Sequence, residues 1–71
     1  MTRNEDNILF GQRVQQLRKR LGLTQAQFSY QCEINRTYMG AIERGEKTPS
    51  LAIIIKIAKG LGMSLSELFN Y

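Results

Sequence analysis

Arg36, Thr37, Gly40, Ala41 and Arg44 follow Asn35 at the spacing of one helix face. Asn is a favoured N-cap, and a cap at Asn35 puts Arg36 and Thr37 in the first turn, with Gly40, Ala41 and Arg44 continuing outward. Glycine and alanine add no bulk, so a backbone can come close to its target while Arg36 and Thr37 reach ahead of it. A guanidinium is the usual two-pronged partner of guanine, which suits this combination to the major groove of a duplex. Asn35 either only caps or also reaches a base. Tyr38 either meets a base step or packs its ring on the domain. Beyond the helix, Arg44, Lys47, Thr48 and Ser50 surround a loop whose side-chain and amide donors can grip phosphates without carrying sequence information.

Other chemistries find little support. The 71 residues contain one cysteine, Cys32, and no histidine, which leaves no internal disulfide and no metal-ligand set, so no metal site is expected. Cys32 occupies an apolar helical position with no base to activate it, and neither a carboxylate pair nor a phosphate-cradling loop is visible. No enzymatic activity, cofactor or small-molecule ligand is therefore expected. Ten Lys and Arg against six Asp and Glu give a net charge of +4, which favours a polyanionic partner. The start MTRNEDNILF lacks the apolar centre of a signal peptide, and LAIIIKIAKGLG is too short and too basic to span a bilayer. The expectation is a cytoplasmic, reducing compartment and no membrane association.

With 42% hydrophobic and 23% charged residues the chain reads as globular, and its length allows one core. Five helix-sized segments must position the residues above. Phe10, Val14, Leu17 and Leu21 form one apolar stripe of a helix starting near Ile8 and stopped by Gly22. Thr24 precedes Gln27 as a capping pair, with Leu23 and Phe28 as a hydrophobic staple. Ile34 and Met39 repeat the staple around Asn35, and Ser64 with Glu67 repeats the capping box. Pro49-Ser50 opens a helix running to Leu61. No alternating β-branched run suggests a strand. The expected organisation is a flexible tail over residues 1–7 and one all-α domain over 8–71.

Residues 25–44, QAQFSYQCEINRTYMGAIER, carry the pattern of two short helices joined by a tight turn. Phe28, Cys32, Ile34, Met39 and Ile42 are apolar where burial is needed, and Ser29 is small where the helices cross. A plain helical hairpin of a bundle remains the alternative for these residues alone. Together with Arg13-Val14-Gln15-Gln16-Leu17-Arg18, Leu21 to Gln25, Ile42-Glu43-Arg44-Gly45, Pro49-Ser50-Leu51, Leu61 to Ser64 and Leu68-Phe69, the chain resembles the phage-repressor-like (Cro-type, XRE-type) helix-turn-helix family over about residues 8–69.

That resemblance implies a compact five-helix fold with the helix-turn-helix at helices two and three. It further implies a cytoplasmic regulator of repressor type that lays its third helix in the major groove of double-stranded operator DNA, as a homodimer. It also implies that Gln25, opening helix two, holds a phosphate while supporting the recognition helix. Arg18 and Glu43 correspond to a structural pair linking helix one to the end of helix three. The family often has glycine where this chain has Glu33; if that residue is left-handed, glutamate costs about 1 to 2 kcal/mol there. Arg36-Thr37-Tyr38 with Ile42 to Gly45 resembles the controllers of restriction-modification operons. Arg13, Lys19 and Arg20 are read as a solvated face.

Helix four carries Leu51, Ile53, Ile54, Ile55, Ile57, Ala58 and Leu61, more apolar surface than one core stripe requires. Packing by helix five accounts for part of it. The remainder, with Leu65, Leu68, Phe69 and Tyr71, is the expected dimer interface. A protein-interaction or antitoxin-type module on the same fold is the alternative function, and it would more often present large apolar anchors than Arg36, Thr37 and Gly40.

Overall fold

A computed structural model describes residues 4–71. The described residues form five helices and no strand: α1 Glu5–Arg20, α2 Gln25–Cys32, α3 Arg36–Glu43, α4 Leu51–Leu61 and α5 Leu65–Leu68. All five begin at a side-chain cap, from Asn4, Thr24, Asn35, Ser50 and Ser64. Both Thr24-Gln27 and Ser64-Glu67 close reciprocal capping boxes, each satisfying two amide donors that a helix start would otherwise leave open.

Helix α1 starts three residues earlier than the apolar stripe suggests. The Asn4 side chain accepts from the amides of Asp6 and Asn7 at 2.8 and 3.2 Å, and Glu5 and Asp6 place negative charge at the positive end of the helix. Residues 5–7 of the expected tail are thus helical, and residues 1–3 lie outside the described residues. At the other end, Leu21 departs from its expected inward position and is 50% exposed. It is the C-cap of α1, and the left-handed Gly22 turns the chain so that Leu23 packs on the core instead.

The core joins Phe10, Val14 and Leu17 of α1, Phe28 and Cys32 of α2, Ile34, Met39 and Ile42 around α3, and Ile57, Ala58, Leu61 and Leu68 from α4 and α5. Helix α3 lies between α1 and α2, while α4 packs on α2, α1 and α5. Ser29 is 2% exposed where α2 meets α3, its hydroxyl donating to the Gln25 carbonyl at 2.7 Å. Gly60, the next-to-last residue of α4, is required by a neighbour. A Cβ there would overlap Cys32 Sγ. That packing buries the Cys32 thiol and pushes its pKa up to about 11, leaving an unreactive core residue.

Arg13 is not part of a solvated face. It is half-buried, and its guanidinium donates to the carbonyls of Leu68 at 3.1 Å and Glu67 at 2.8 Å, capping the end of α5. Among the described residues, no helix is long and apolar enough to cross a membrane.

Candidate nucleic-acid interface

The turn that aims α3 rests on Glu33, which is left-handed at φ 58° and ψ 42°. Its amide donates to the Tyr30 carbonyl at 3.1 Å, and the Ile34 amide donates to Ser29 at 2.9 Å. These bonds close the end of α2 and turn the chain so that Ile34 enters the core. Asn35 then caps α3, accepting from the Tyr38 amide at 3.2 Å.

The far end of α3 is fixed by charge. Glu43 is 7% exposed and receives Arg18 through two bonds, Nε to Oε2 at 2.8 Å and Nη2 to Oε1 at 3.0 Å. Arg18 also donates from Nη1 to the Leu23 carbonyl at 2.9 Å. Gln25 completes the cluster by donating from Nε2 to Glu43 Oε1 at 3.2 Å. One buried carboxylate thereby ties α1, the first residue of α2 and the last residue of α3.

On the outer side, Gln25, Arg36, Thr37, Gly40 and Arg44 line an open hollow with a volume of about 260 Å³. Gly40 forms its floor: a Cβ there would stand 3.1 Å from Arg44 Nη1 and 3.2 Å from Gln25 Oε1. Arg36 and Thr37 are exposed at its rim. None of the large exposed apolar side chains among the described residues belongs to α3. The surface is concave, polar and cationic.

The expected outward run is corrected at one position. Ala41 is 7% exposed and does not line the hollow, so it is a buried residue of α3 and not part of its outer face. Asn35 is exposed, and Tyr38 is half-buried with its ring against the core; neither lines the hollow. Lys47 is exposed in the loop after α3. Thr48 Oγ1 accepts from Asn7 Nδ2 at 2.6 Å, and Ser50 Oγ accepts from the Ile53 amide at 3.3 Å as the cap of α4.

The model of the helix-turn-helix family, HTH_3, matches residues 14–68. The chain belongs to this family of DNA-binding transcriptional regulators. It is 43% identical over 68 residues to the control protein C.MunI of a Mycoplasma species, covering 94% of this chain and 92% of that one. The crystal structure of the restriction-modification controller protein C.AhdI from Aeromonas hydrophila superposes with a TM-score of 0.89 at 38% identity, covering 93% of this chain and all of that one. A crystal structure of SinR, described as the master regulator for biofilm formation, in complex with DNA, superposes with a TM-score of 0.80 at 27% identity, covering 86% of this chain and 98% of that one. In this family setting α2 and α3 are the helix-turn-helix, and the hollow lies on the outer side of its second helix.

Among the apolar positions expected to pair two copies, Leu65, Phe69 and Tyr71 are 39%, 46% and 59% exposed. Leu68 is a correction. It is fully buried within its own chain, since the first turn of α5 points it into the core against α4, and it has no surface to offer a partner. Leu51, at the start of α4, is 65% exposed. Phe69 stacks on Phe10 at 5.4 Å between ring centroids and faces Tyr71 at 6.4 Å.

Sequence reasoning missed two residues, Glu46 beside the hollow and Asn7 at the loop after α3. Glu46 receives Arg44 through two bonds, Nε to Oε2 at 2.9 Å and Nη2 to Oε1 at 3.1 Å. Asn7 bridges α1 to the loop after α3. Asn4-Glu5-Asp6 carried a readable signal for the second, since an N-cap followed by two acids marks a helix start. Gly45, left-handed just past α3, marks the turn before Glu46, but no local pattern shows that Glu46 receives Arg44.

Proposed function

We propose that this regulator binds a palindromic operator as a homodimer, with α3 in the major groove, and that the operator controls a restriction-modification operon. The hollow carries the reading: Arg36 and Thr37 stand at the N-terminal end of α3, over a floor cleared by Gly40. Arg36 and Thr37 are the base-reading residues, with Arg36 positioned to fork a guanine. Tyr38 and Asn35 are secondary base contacts, since one is committed to the core and the other to its cap. Gln25, Arg44, Lys47, Thr48 and Ser50 hold phosphates on either side and set the register.

The dimer rests on Leu51, Leu65, Phe69 and Tyr71, four large apolar side chains left in solvent on α4, α5 and the C-terminal residues. An isologous contact would pair this patch with itself. Similarity to C.MunI and C.AhdI supports the restriction-modification assignment. The absence of large apolar anchors on α3 argues against a protein-docking role for that face.

Selection of bound sites from random duplex DNA tests the proposal. The expected result is a two-fold symmetric site whose half-sites lie about one helical turn apart, or a multiple of it. Enrichment of a single asymmetric half-site would contradict the dimer, and no enrichment would contradict sequence-specific binding.

A further inference from the structure

We propose that Glu46 sharpens this protein's discrimination between its operator and arbitrary duplexes by positioning Arg44 for the operator backbone. The inference rests on the DNA-binding reading above. Glu46 occupies the Nε and Nη2 edge of the Arg44 guanidinium with both carboxylate oxygens. With that edge held, Nη1 lies over Gly40, at the floor of the hollow shared with Arg36, Thr37 and Gln25. A guanidinium has five N–H donors in a rigid plane, so fixing one edge fixes the direction of the others. The pairing also raises the Arg44 pKa, chiefly through the hydrogen bonds from Arg44 to Glu46.

Two consequences follow for a cation at the rim of a DNA-binding face. The pair is formally neutral, so Arg44 contributes less to general attraction for phosphates than an isolated arginine would. Its donors over Gly40 are pre-oriented, so a duplex seated in register on α3 meets them without ordering a long side chain. Glu46 therefore weakens binding to arbitrary duplexes more than binding to the cognate one. It acts through Arg44 and touches no DNA itself. Glu46 and Arg44 keep 44% and 57% of their side-chain surface exposed, and a pair this open contributes little to folding, so substitutions here leave the domain intact.

The test uses the full chain, a duplex selected from a random library, and a scrambled duplex of the same length and composition. Affinities are measured at several salt concentrations for the unsubstituted protein, Glu46→Gln, Glu46→Ala, Arg44→Ala and the Arg44→Ala/Glu46→Gln double variant. Glu46→Gln is expected to strengthen binding to the scrambled duplex about tenfold at 0.1 M salt and to steepen its log-log salt slope by about one. The ratio of selected to scrambled affinity is expected to fall at least about fivefold. In the Arg44→Ala background the same change should leave that ratio unaltered. An equal gain on both duplexes, or a change of ratio that persists without Arg44, would overturn the proposal and make Glu46 a distant repulsive charge. If the unsubstituted protein does not discriminate the two duplexes, the DNA-binding reading fails first, whatever the variants do.

Discussion

Arg18 and Glu43, separated by 25 positions in the chain, meet through two charge-assisted hydrogen bonds of 2.8 and 3.0 Å with side chains 9% and 2% exposed. Among the described residues no buried side-chain nitrogen or oxygen lacks a partner, and this pair shows how that satisfaction positions a functional helix. Arg18→Ala strands the Glu43 carboxylate with only Gln25 for company. A loss of about 3 to 5 kcal/mol is expected. The double change Arg18→Met/Glu43→Leu should recover much of it, because apolar replacement of both partners removes the uncompensated charge. Denaturant melts of the two variants and the unsubstituted protein measure both numbers. A double variant no more stable than Arg18→Ala would show that the pair has a role apolar packing cannot fill.

Glu33 sits at φ 58° without the freedom of glycine. Its side chain is exposed, so the expected effect of Glu33→Gly is a gain of about 0.5 to 1 kcal/mol, the relief of left-handed strain exceeding the added unfolded-state entropy. Chemical denaturation of the two proteins gives the difference directly. A loss would mean that the Glu33 side chain makes a stabilising interaction in solution.

Acid should weaken the start of α5. Glu67 Oε1 accepts from the Ser64 amide at 2.9 Å, and this backbone bond, followed by the Ser64 hydroxyl contact, holds the Glu67 carboxyl below its ordinary pKa. A group with a depressed folded pKa contributes stability that is fully present above its unfolded value, near 4.5, and is lost as pH falls through the folded value. Glu67→Gln keeps an accepting oxygen without the charge. Its stability curve should therefore be flatter than that of the unsubstituted protein between neutral pH and about pH 3. Thermal melts across that range compare the slopes, and parallel curves would remove Glu67 from the acid response.

The elements that sequence revealed most fully are those specified within a few residues. Thr24-Gln27, Ser64-Glu67 and the Ile34-Asn35-Met39 staple are local signals, and each marks a helix start in the structure. The left-handed turn at Glu33 is legible only through the family resemblance, because a glutamate gives no local sign of it. Arg13 escapes a reading by residue type because its partners are backbone carbonyls 54 and 55 residues away, and every residue has a carbonyl. Leu21 fits the stripe of α1 but falls at its cap, where periodicity no longer controls direction. Leu68 and Phe69 are legible as apolar, yet only packing decides which of two adjacent side chains a four-residue helix buries.

Self-association should depend on the α4 and α5 surface. Leu51→Glu changes a 65% exposed side chain at the first position of a helix, where an acidic residue is tolerated. Helix content and stability should stay near those of the unsubstituted chain, while dimerisation and operator affinity fall together. Phe69→Glu is expected to do the same with some loss of stability, since Phe69 also stacks on Phe10. Sedimentation equilibrium with parallel DNA titration separates the two effects. A monomer that binds a palindrome with undiminished affinity would contradict the dimer.

The most direct measurement compares Arg36→Ala and Lys47→Ala on the selected operator and on a scrambled duplex, each over a range of salt. Arg36 lines the hollow at the start of α3, whereas Lys47 stands exposed in the loop beyond it. If α3 reads bases, Arg36→Ala should cost about 1 to 3 kcal/mol per half-site on the operator, relax preference at one base pair, and affect the scrambled duplex less. Lys47→Ala should weaken both duplexes alike and reduce the log-log salt slope by about one for each phosphate that the lysine neutralises. Equal losses on both duplexes for Arg36→Ala would make Arg36 a phosphate ligand and contradict its assignment as the base-reading arginine of α3.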